Sequence, residues 1–218
     1  MKQKRAYRYR FYPTPEQASV LARTFGSARF VYNWALRLRT DAYYQRQERL
    51  GYHELSAALT TLKQQPETVW LNEVSSVPLQ QALRHLDKAF HTFFAGCAQY
   101  PSFHKKRGRQ AATYARSAFQ WDEWDAQARA LTLAKMGAPL DIHWSRSFIG
   151  TPTTVTISQD TAGRSFVSLL VQEEITALPV VNAMVCRERD GGGGCGLEGR
   201  GRAQHRRKDC QSSVFAPQ

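Results

Sequence analysis

Aromatic and charged residues alternate at the start of the chain. From Tyr7 to Phe11 the odd positions are aromatic and the positions between them are arginine. This period of two predicts a half-buried β-strand. Thr14 then precedes Pro15, and Gln17 follows three positions after Thr14. That combination is typical of a capped helix start, so a helix is predicted to follow the strand directly.

Apolar residues then recur at the spacing of amphipathic helices. Gly26 interrupts the first repeat, which predicts that one helix ends there and that a second runs to about Leu50, with Gly51 as a stop signal. Further repeats predict a third helix over residues 55–62 and a fourth from Pro78 to Gly96.

The later part of the chain has the alternation of short strands. These strands are predicted over residues 113–119, 131–133, 140–144, 153–158 and 165–171. We therefore predict an α+β fold built on a small antiparallel, wedge-like barrel. Its first strand lies within residues 1–13 and its other strands within residues 99–178, and a helical lobe over residues 14–98 is inserted between them.

The character of the chain changes near its end. Residues 179–185 begin the pattern of another buried strand, but residues 186–218 are rich in glycine and arginine and have no apolar periodicity. We predict that this tail is disordered. It holds three of the chain's four cysteines, and no C-x-x-C pair occurs anywhere.

The formal net charge of +12 favours a polyanionic partner over a generically basic surface. No apolar run approaches the length that crosses a membrane, and the basic N-terminus does not resemble an export signal. Together with the cysteine pattern, this predicts a cytoplasmic protein with no membrane partner.

Two segments are candidates for contact with nucleic acid. The first is the basic run from Lys105 to Arg109, whose cations suit phosphates and near which Phe103 or Tyr114 is placed to stack on a base or sugar; the alternative is a solvated basic loop. The second is the helix pair around Gly26, which has the outline of a helix-turn-helix reader. The alternative for this pair is an ordinary helical hairpin with one face in the core.

Catalytic and metal-binding signals are weak. The run from Trp121 to Asp125 groups three carboxylates, but a solvated turn explains it better than a nuclease site. Cys195, His205 and Cys210 lack the spacing of a zinc site. No fingerprint for a phosphate-cradling loop, a nucleotide cofactor or a nucleophilic serine occurs, so the residues predict neither an active site nor a small-molecule substrate.

Four stretches in order give the chain a family resemblance: YRYRFYPTPEQ, FGSARFVYNWAL, PSFHKKRGR and LLVQEEI. Together they resemble the OrfB/TnpB proteins of bacterial insertion sequences over roughly residues 4–185. The resemblance implies a wedge-like barrel and a recognition lobe that hold a guide RNA and read a short motif beside a DNA target. In the family a RuvC-like nuclease domain follows.

The resemblance also implies individual roles. Basic residues of the first strand would face nucleic-acid backbone, and the segment beginning at Gly26 matches the family's G-x-x-R-F-x-Y-N pattern. His104 stands where a lysine is common, which implies a weaker or pH-dependent phosphate contact. The residues assigned in this way to nucleic acid, with the neighbouring Phe103, are Lys4, Arg5, Arg8, Arg10, Arg29, Tyr32, Asn33, Phe103, Lys105, Lys106, Arg107 and Arg109.

The chain departs from the family after Val185. The family continues into G-I-D-x-G, whose Asp is the first metal-binding carboxylate of the nuclease, whereas this chain reads C-R-E-R-D-G. We therefore expect a truncated or frameshifted copy without the nuclease carboxylates, the magnesium or the zinc. It is expected to bind guide RNA or duplex DNA without cutting.

Three alternatives stay open. The first is a small helix-turn-helix DNA-binding regulator, and the second is a non-functional pseudogene product. The third is a protein whose genuine Gly/Arg-rich tail acts as a nucleic-acid tether.

Overall fold

A computed structural model of the chain describes residues 2–123 and 129–174. Three α-helices are followed by most of the strands. The elements are β1 (Lys2–Phe11), α1 (Pro15–Arg46), α2 (Tyr52–Leu62), α3 (Ser76–Phe94), β2 (Gln110–Ala115), β3 (Phe119–Glu123), β4 (Arg129–Leu133), β5 (Ile142–His143), β6 (Pro152–Gln159) and β7 (Ser165–Glu174). Short 3-10 helices cover Val69–Asn72 and Arg116–Ala118.

Strand β1 confirms the alternation read from the sequence. Tyr9 and Phe11 are buried in the core, whereas Arg8 and Arg10 are exposed on the opposite face. β1 pairs antiparallel with β7 from Lys2 to Phe11 and with the short β5 at its end. This strand therefore lies inside the sheet, with partners on both sides.

The main sheet has five antiparallel strands in the order β2-β6-β7-β1-β5, and β3 and β4 form a separate pair. The α+β class is confirmed, but the predicted barrel is not observed. Within residues 2–123 and 129–174 the end strands β2 and β5 do not pair with each other. Two features explain the open sheet: β5 offers only Ile142–His143 for pairing, and α1 and α3 pack against β2.

Helix α1 begins as predicted. The amide of Gln17 donates to the Thr14 side-chain oxygen at 3.3 Å, and the Thr14 amide donates to the Gln17 side chain at 3.1 Å. These reciprocal bonds form a capping box, and Pro15 occupies the first helical turn, where its missing N–H costs nothing.

The predicted break at Gly26 is wrong. Helix α1 continues without interruption for 32 residues and ends at Arg46, where Gln47 adopts a left-handed conformation with φ of 57°. The helical spacing of buried residues runs through Gly26, from Phe25 to Val31, so packing on both sides offsets a glycine cost of about 1 kcal/mol.

The remaining helices follow the sequence prediction more closely. The predicted third and fourth helices are α2 and α3, although Gly51 caps the start of α2 rather than ending the helix before it. Three α-helices form where about four were predicted, because α1 replaces two of them. Between α2 and α3, Leu71 of a 3-10 helix is fully buried against the bundle.

Two hydrophobic clusters share α1. Leu21 and Phe25, in its first half, pack into the cluster formed by the strands. Val31 and Leu36, in its second half, pack into the cluster formed with α2 and α3. A single rigid helix thus connects the sheet with the helical part.

The predicted hairpin of β6 and β7 is confirmed. Its turn is held by Asp160, whose carboxylate accepts hydrogen bonds from the Ala162 and Arg164 amides at 3.1 and 2.8 Å. The predictions for residues 179–185 and for the tail over residues 186–218 lie outside the described residues, and so does Asp125. Among the helices of the described residues, none is long and apolar enough to cross a membrane.

Candidate nucleic-acid interface

The basic run forms an exposed loop that leads from α3 into β2. Lys105, Lys106, Arg107 and Arg109 are all exposed, and the loop turns where the Gly108 amide donates to the Lys105 carbonyl at 3.3 Å. We call residues 103–109 the basic loop. Within the described residues, none of its cations forms an ion pair with a carboxylate.

Helix α1 holds the basic loop at His104. The side-chain amide of Asn33 donates to the His104 carbonyl at 3.1 Å, and the His104 amide donates to the Asn33 side-chain oxygen at 2.8 Å. The ring of Tyr32, only 6% exposed, stacks on the His104 imidazole with centroids 3.8 Å apart and an interplanar angle of 8°. These contacts fix the position of His104 on the helix.

A second set of contacts fixes the other end of the loop. Arg29 of α1 donates to the side-chain oxygen of Gln110 at 3.0 Å. The side-chain nitrogen of Gln110 lies 2.7 Å from the Lys106 carbonyl and 2.9 Å from the Gly108 carbonyl, to which it donates. Arg29 therefore supports the loop backbone through Gln110, and its charge is held in place on the helix.

Arg29, Tyr32 and Asn33 thus have a different setting from the one predicted. They lie in the middle of α1 and not near the start of a second helix, because α1 does not break at Gly26. The structure brings them together with the basic loop, which is distant in sequence. Gln110 was missed by sequence reasoning, and its only signal is its position directly after the run, as the first residue of β2.

One histidine, His104, belongs to the basic loop, and a second, His85 of α3, lies near it. Burial lowers the pKa of His104, and the nearby His85 and Arg29 lower it further. Burial also lowers the pKa of His85, with a smaller contribution from Lys88. A lowered pKa favours the neutral form of both imidazoles at pH 7, so we do not count His104 among the cations of the basic loop.

The basic residues of β1 form a separate group. Lys4, Arg8 and Arg10 lie on the exposed face of the strand, and the Arg8 guanidinium stacks 3.9 Å from the centre of the Phe166 ring. Arg5 has the opposite parity and pairs with Glu173 at 3.3 Å.

The sheet separates β1 from the basic loop. Since β6 and β7 lie between β1 and β2, the two strands are three spacings apart, or about 14 Å. The structure therefore leaves two basic surfaces rather than one continuous patch.

Phe103 is available for stacking at the start of the basic loop, whereas the prediction for Tyr114 is wrong, because its side chain is buried in the core. Its side chain is 58% exposed and lines a shallow groove with Arg37, Tyr100 and Pro101. Tyr100 itself packs edge-on against Phe93, with ring centroids 5.3 Å apart. The aromatic surroundings of Phe103, which extend to the end of α3, were not singled out from the sequence.

The predicted carboxylate turn is only partly described. Asp122 accepts hydrogen bonds from Gln120 at 3.0 and 3.2 Å, and Glu123 pairs with Arg129 at 3.0 Å across β3 and β4. Over residues 2–123 and 129–174, no three His, Cys, Asp or Glu side chains are grouped so that they could hold a metal ion.

Comparison with known proteins indicates the family to which the chain belongs. A family model described as a helix-turn-helix domain, of the OrfB/IS605 type, matches residues 1–48. In this chain residues 1–48 contain strand β1 and the whole of α1, which is a single helix.

Three curated proteins are similar to this chain. A "Putative RNA-guided DNA endonuclease" of Streptomyces pristinaespiralis is 54% identical over 185 residues, which cover 84% of this chain and 45% of that protein. "Putative RNA-guided DNA endonuclease InsQ" of Escherichia coli K12 is 29% identical over 176 residues, covering 81% of this chain and 42% of that protein. "Virulence protein VsdF" of Salmonella dublin is 35% identical over 114 residues, covering 48% of this chain and 96% of that protein.

The chain spans less than half the length of the two endonuclease relatives that it matches. The matched N-terminal domain and these relatives agree with the four sequence stretches that first indicated the family. The chain belongs to the OrfB/TnpB family of insertion-sequence proteins.

Proposed function

We propose that this chain binds nucleic acid, with the basic loop as its main contact to phosphates. The observation that carries the proposal is the way α1 holds this loop. Asn33 and Tyr32 fix His104, and Arg29 supports Gln110, so that four exposed cations are presented on an anchored backbone. A polyanion then binds with less loss of loop entropy than it would on a free loop.

Charge supports the same proposal. The four cations of the basic loop have no carboxylate partner among the described residues. They therefore repel one another, and binding of a polyanion reduces this repulsion. Lys4, Arg8 and Arg10 add a second exposed basic surface on β1, which lies three strand spacings from β2 in the sheet.

For the ligand we propose a guide RNA, a DNA duplex, or both in one complex. Support comes from the names of the two endonuclease relatives, which describe RNA-guided action on DNA. A second candidate is a DNA-binding regulator without RNA, and the description of the matched N-terminal domain favours it. Sequencing the nucleic acid that co-purifies with the protein separates the two: a discrete RNA supports the first, and sequence-selective duplex binding without RNA supports the second.

We also propose that the chain does not cut. Support comes from the sequence after Val185, which reads C-R-E-R-D-G where the family has the metal-binding Asp of G-I-D-x-G. Binding through cations needs no divalent ion, so it is expected to persist in a chelator. A metal-dependent cut of RNA or DNA that survives repurification would contradict the proposal.

The salt dependence of binding tests the role of the basic loop. We expect that changing Lys105, Lys106 and Arg107 together to Ala lowers affinity for all sequences. It should also reduce the slope of log K against log salt by about 2.7 for duplex DNA or about 2.1 for a single strand, if each cation neutralises one phosphate. The slope is measured by fluorescence anisotropy on a labelled oligonucleotide.

A matched control removes the same charge elsewhere. Arg23, Arg46 and Arg164 are each paired with a carboxylate, at 3.1, 3.2 and 2.7 Å. Changing these three to Ala is expected to leave the slope within about one unit of the parent value, because they lie outside the basic loop. Equal changes in the two triple variants would show that only net charge matters and would refute the assignment.

A further inference from the structure

A small cleft lies beneath the basic loop, between α1, α3 and the start of β2. It encloses about 70 Å³. The polar residues that line it are Arg29, His85, His104, Lys105, Arg109 and Gln110. The ionisable residues among these six are all basic, and within residues 2–123 and 129–174 no Asp or Glu lines the cleft.

Arg29 is the central group of this cleft. Its side chain is half-buried on α1, and its recorded hydrogen bond goes to the neutral oxygen of Gln110 at 3.0 Å. Among the described residues no carboxylate pairs with it. Since a guanidinium has five N–H donors and the bond to Gln110 uses one nitrogen, Arg29 keeps donors and charge for an anion.

Residues of two further elements line the same cleft. They are Lys105 and Arg109 of the basic loop, which carry ammonium and guanidinium donors, and His85 of α3, which carries an imidazole. A tetrahedral oxyanion accepts several hydrogen bonds at once from such donors, and charged donors give the strongest of these bonds.

We propose that this cleft binds one phosphate group of the nucleic-acid backbone, held by Arg29, Lys105 and Arg109. The proposal rests on the nucleic-acid function proposed above and adds a defined site to it. Lys106 and Arg107 do not line the cleft, although they belong to the same loop. The four loop cations therefore divide into two that hold this phosphate and two that contribute general attraction.

The proposal has a consequence for the two histidines. Burial lowers the pKa of both histidines, with Lys88 of α3 contributing at His85, and His85 and Arg29 of α1 contributing at His104. Lys105 and Arg109 of the loop line the same cleft. A phosphate in the cleft supplies negative charge, so both pKa values are expected to rise when it binds, with proton uptake.

The experiment uses the full chain and inorganic phosphate alone. The Cε1–H signals of His85 and His104 are followed by NMR during a phosphate titration at about pH 6, after assignment with His85→Gln and His104→Gln. We expect both signals to move saturably toward the protonated position. Changing Lys105 and Arg109 together to Ala should weaken phosphate binding about tenfold or more, whereas the control pair Lys106→Ala and Arg107→Ala should change it less than about threefold.

Competition identifies the source of the phosphate. An oligonucleotide with a 5′-hydroxyl contains only backbone phosphates and is expected to displace inorganic phosphate as well as its 5′-phosphorylated form does. Displacement only by the phosphorylated form would overturn the backbone assignment. Histidine signals that do not respond to phosphate, or equal losses in the two double variants, would overturn the site itself.

These failures are distinct from a failure of the proposed function. If the histidines do not respond but the loop triple variant still reduces the salt slope, nucleic-acid binding stands and the cleft does not. If the histidines respond and the salt slope is unchanged, the cleft is an anion site without a role in nucleic-acid binding, and the assignment to backbone phosphate is wrong.

Discussion

Replacing Asn33 by Ala removes both hydrogen bonds that join α1 to the backbone of His104. The side-chain nitrogen and oxygen of Asn33 lie 3.1 and 2.8 Å from the carbonyl and amide of that residue. Within the described residues, no other side chain forms a hydrogen bond with the backbone amide or carbonyl of His104. The variant should therefore weaken the anchor of the basic loop at His104, where the Tyr32 ring stack remains, while leaving the four loop cations in place.

The size of the effect follows from the two bonds. A typical hydrogen bond contributes about 0.5–1.5 kcal/mol net. Water reaches this site, since both groups are solvent-accessible, so we take the lower part of the range and expect a loss of about 1–2 kcal/mol in local stability. A loss of that size raises the population of the open loop by about 5–30-fold.

Hydrogen exchange measures this directly. The His104 amide should exchange about 5–30-fold faster in Asn33→Ala than in the parent protein, because its acceptor is gone. Nucleic-acid affinity should fall at every salt concentration with an unchanged salt slope, because the number of cations is unchanged. The control is Asn72→Ala, which removes a single hydrogen bond of 3.0 Å to the Lys63 carbonyl, away from the loop.

Two results would refute this reasoning. Unchanged exchange at His104 in Asn33→Ala would mean that the side-chain amide does not anchor the loop in solution. A reduced salt slope in the same variant would mean that cations are lost from the interface, so Asn33 would act through charge placement and not through loop order alone.

The remaining predictions concern α1 and the sheet. Gly26→Ala should raise the free energy of unfolding by about 0.5–1 kcal/mol in chemical denaturation, because a Cβ there meets nothing within 4 Å and the helix continues through it; a destabilised variant would instead indicate a turn at residue 26. Gly163→Ala, at φ of 78°, should lower the same free energy by about 1 kcal/mol. Burial raises the pKa of Tyr114 to about 12. A tyrosine in the unfolded chain has a pKa near 10.0, so Tyr114 stabilises the fold fully below that pH and the contribution is lost as pH rises toward 12. Tyr114→Phe should therefore show a shallower loss of stability above about pH 10 than the parent; identical slopes would contradict the burial of this hydroxyl.

Local patterns in the sequence were sufficient for several elements. The alternation around Tyr9 predicts β1, the spacing of Thr14 and Gln17 predicts the start of α1, and Asp160 with Gly163 predicts the turn between β6 and β7. Each of these signals depends on residues within a few positions of one another, so the preference of the backbone is decided locally. The basic loop is read from the sequence for the same reason, since a run of cations is a local property.

The wrong predictions involve contacts between distant parts of the chain. A glycine within a helical pattern is a local break signal, but Phe25 and Val31 pack into two different clusters on either side of Gly26, and that packing keeps α1 continuous. Closure of the sheet depends likewise on where its two end strands lie. A strand of two residues at one end and helices packed against the other keep it open.

The sequence by itself determined the secondary structure of most segments, the position of the basic loop and the family of the chain. Only the tertiary structure decided which groups Arg29, Tyr32 and Asn33 contact, because their partners His104 and Gln110 lie more than 70 positions away along the chain. From the family motif these three side chains are predicted to contact nucleic acid directly. In the structure they form hydrogen bonds and a ring stack with His104 and Gln110. The physical reason is that α1 is one continuous helix, and residues in its middle contact the loop that joins α3 to β2.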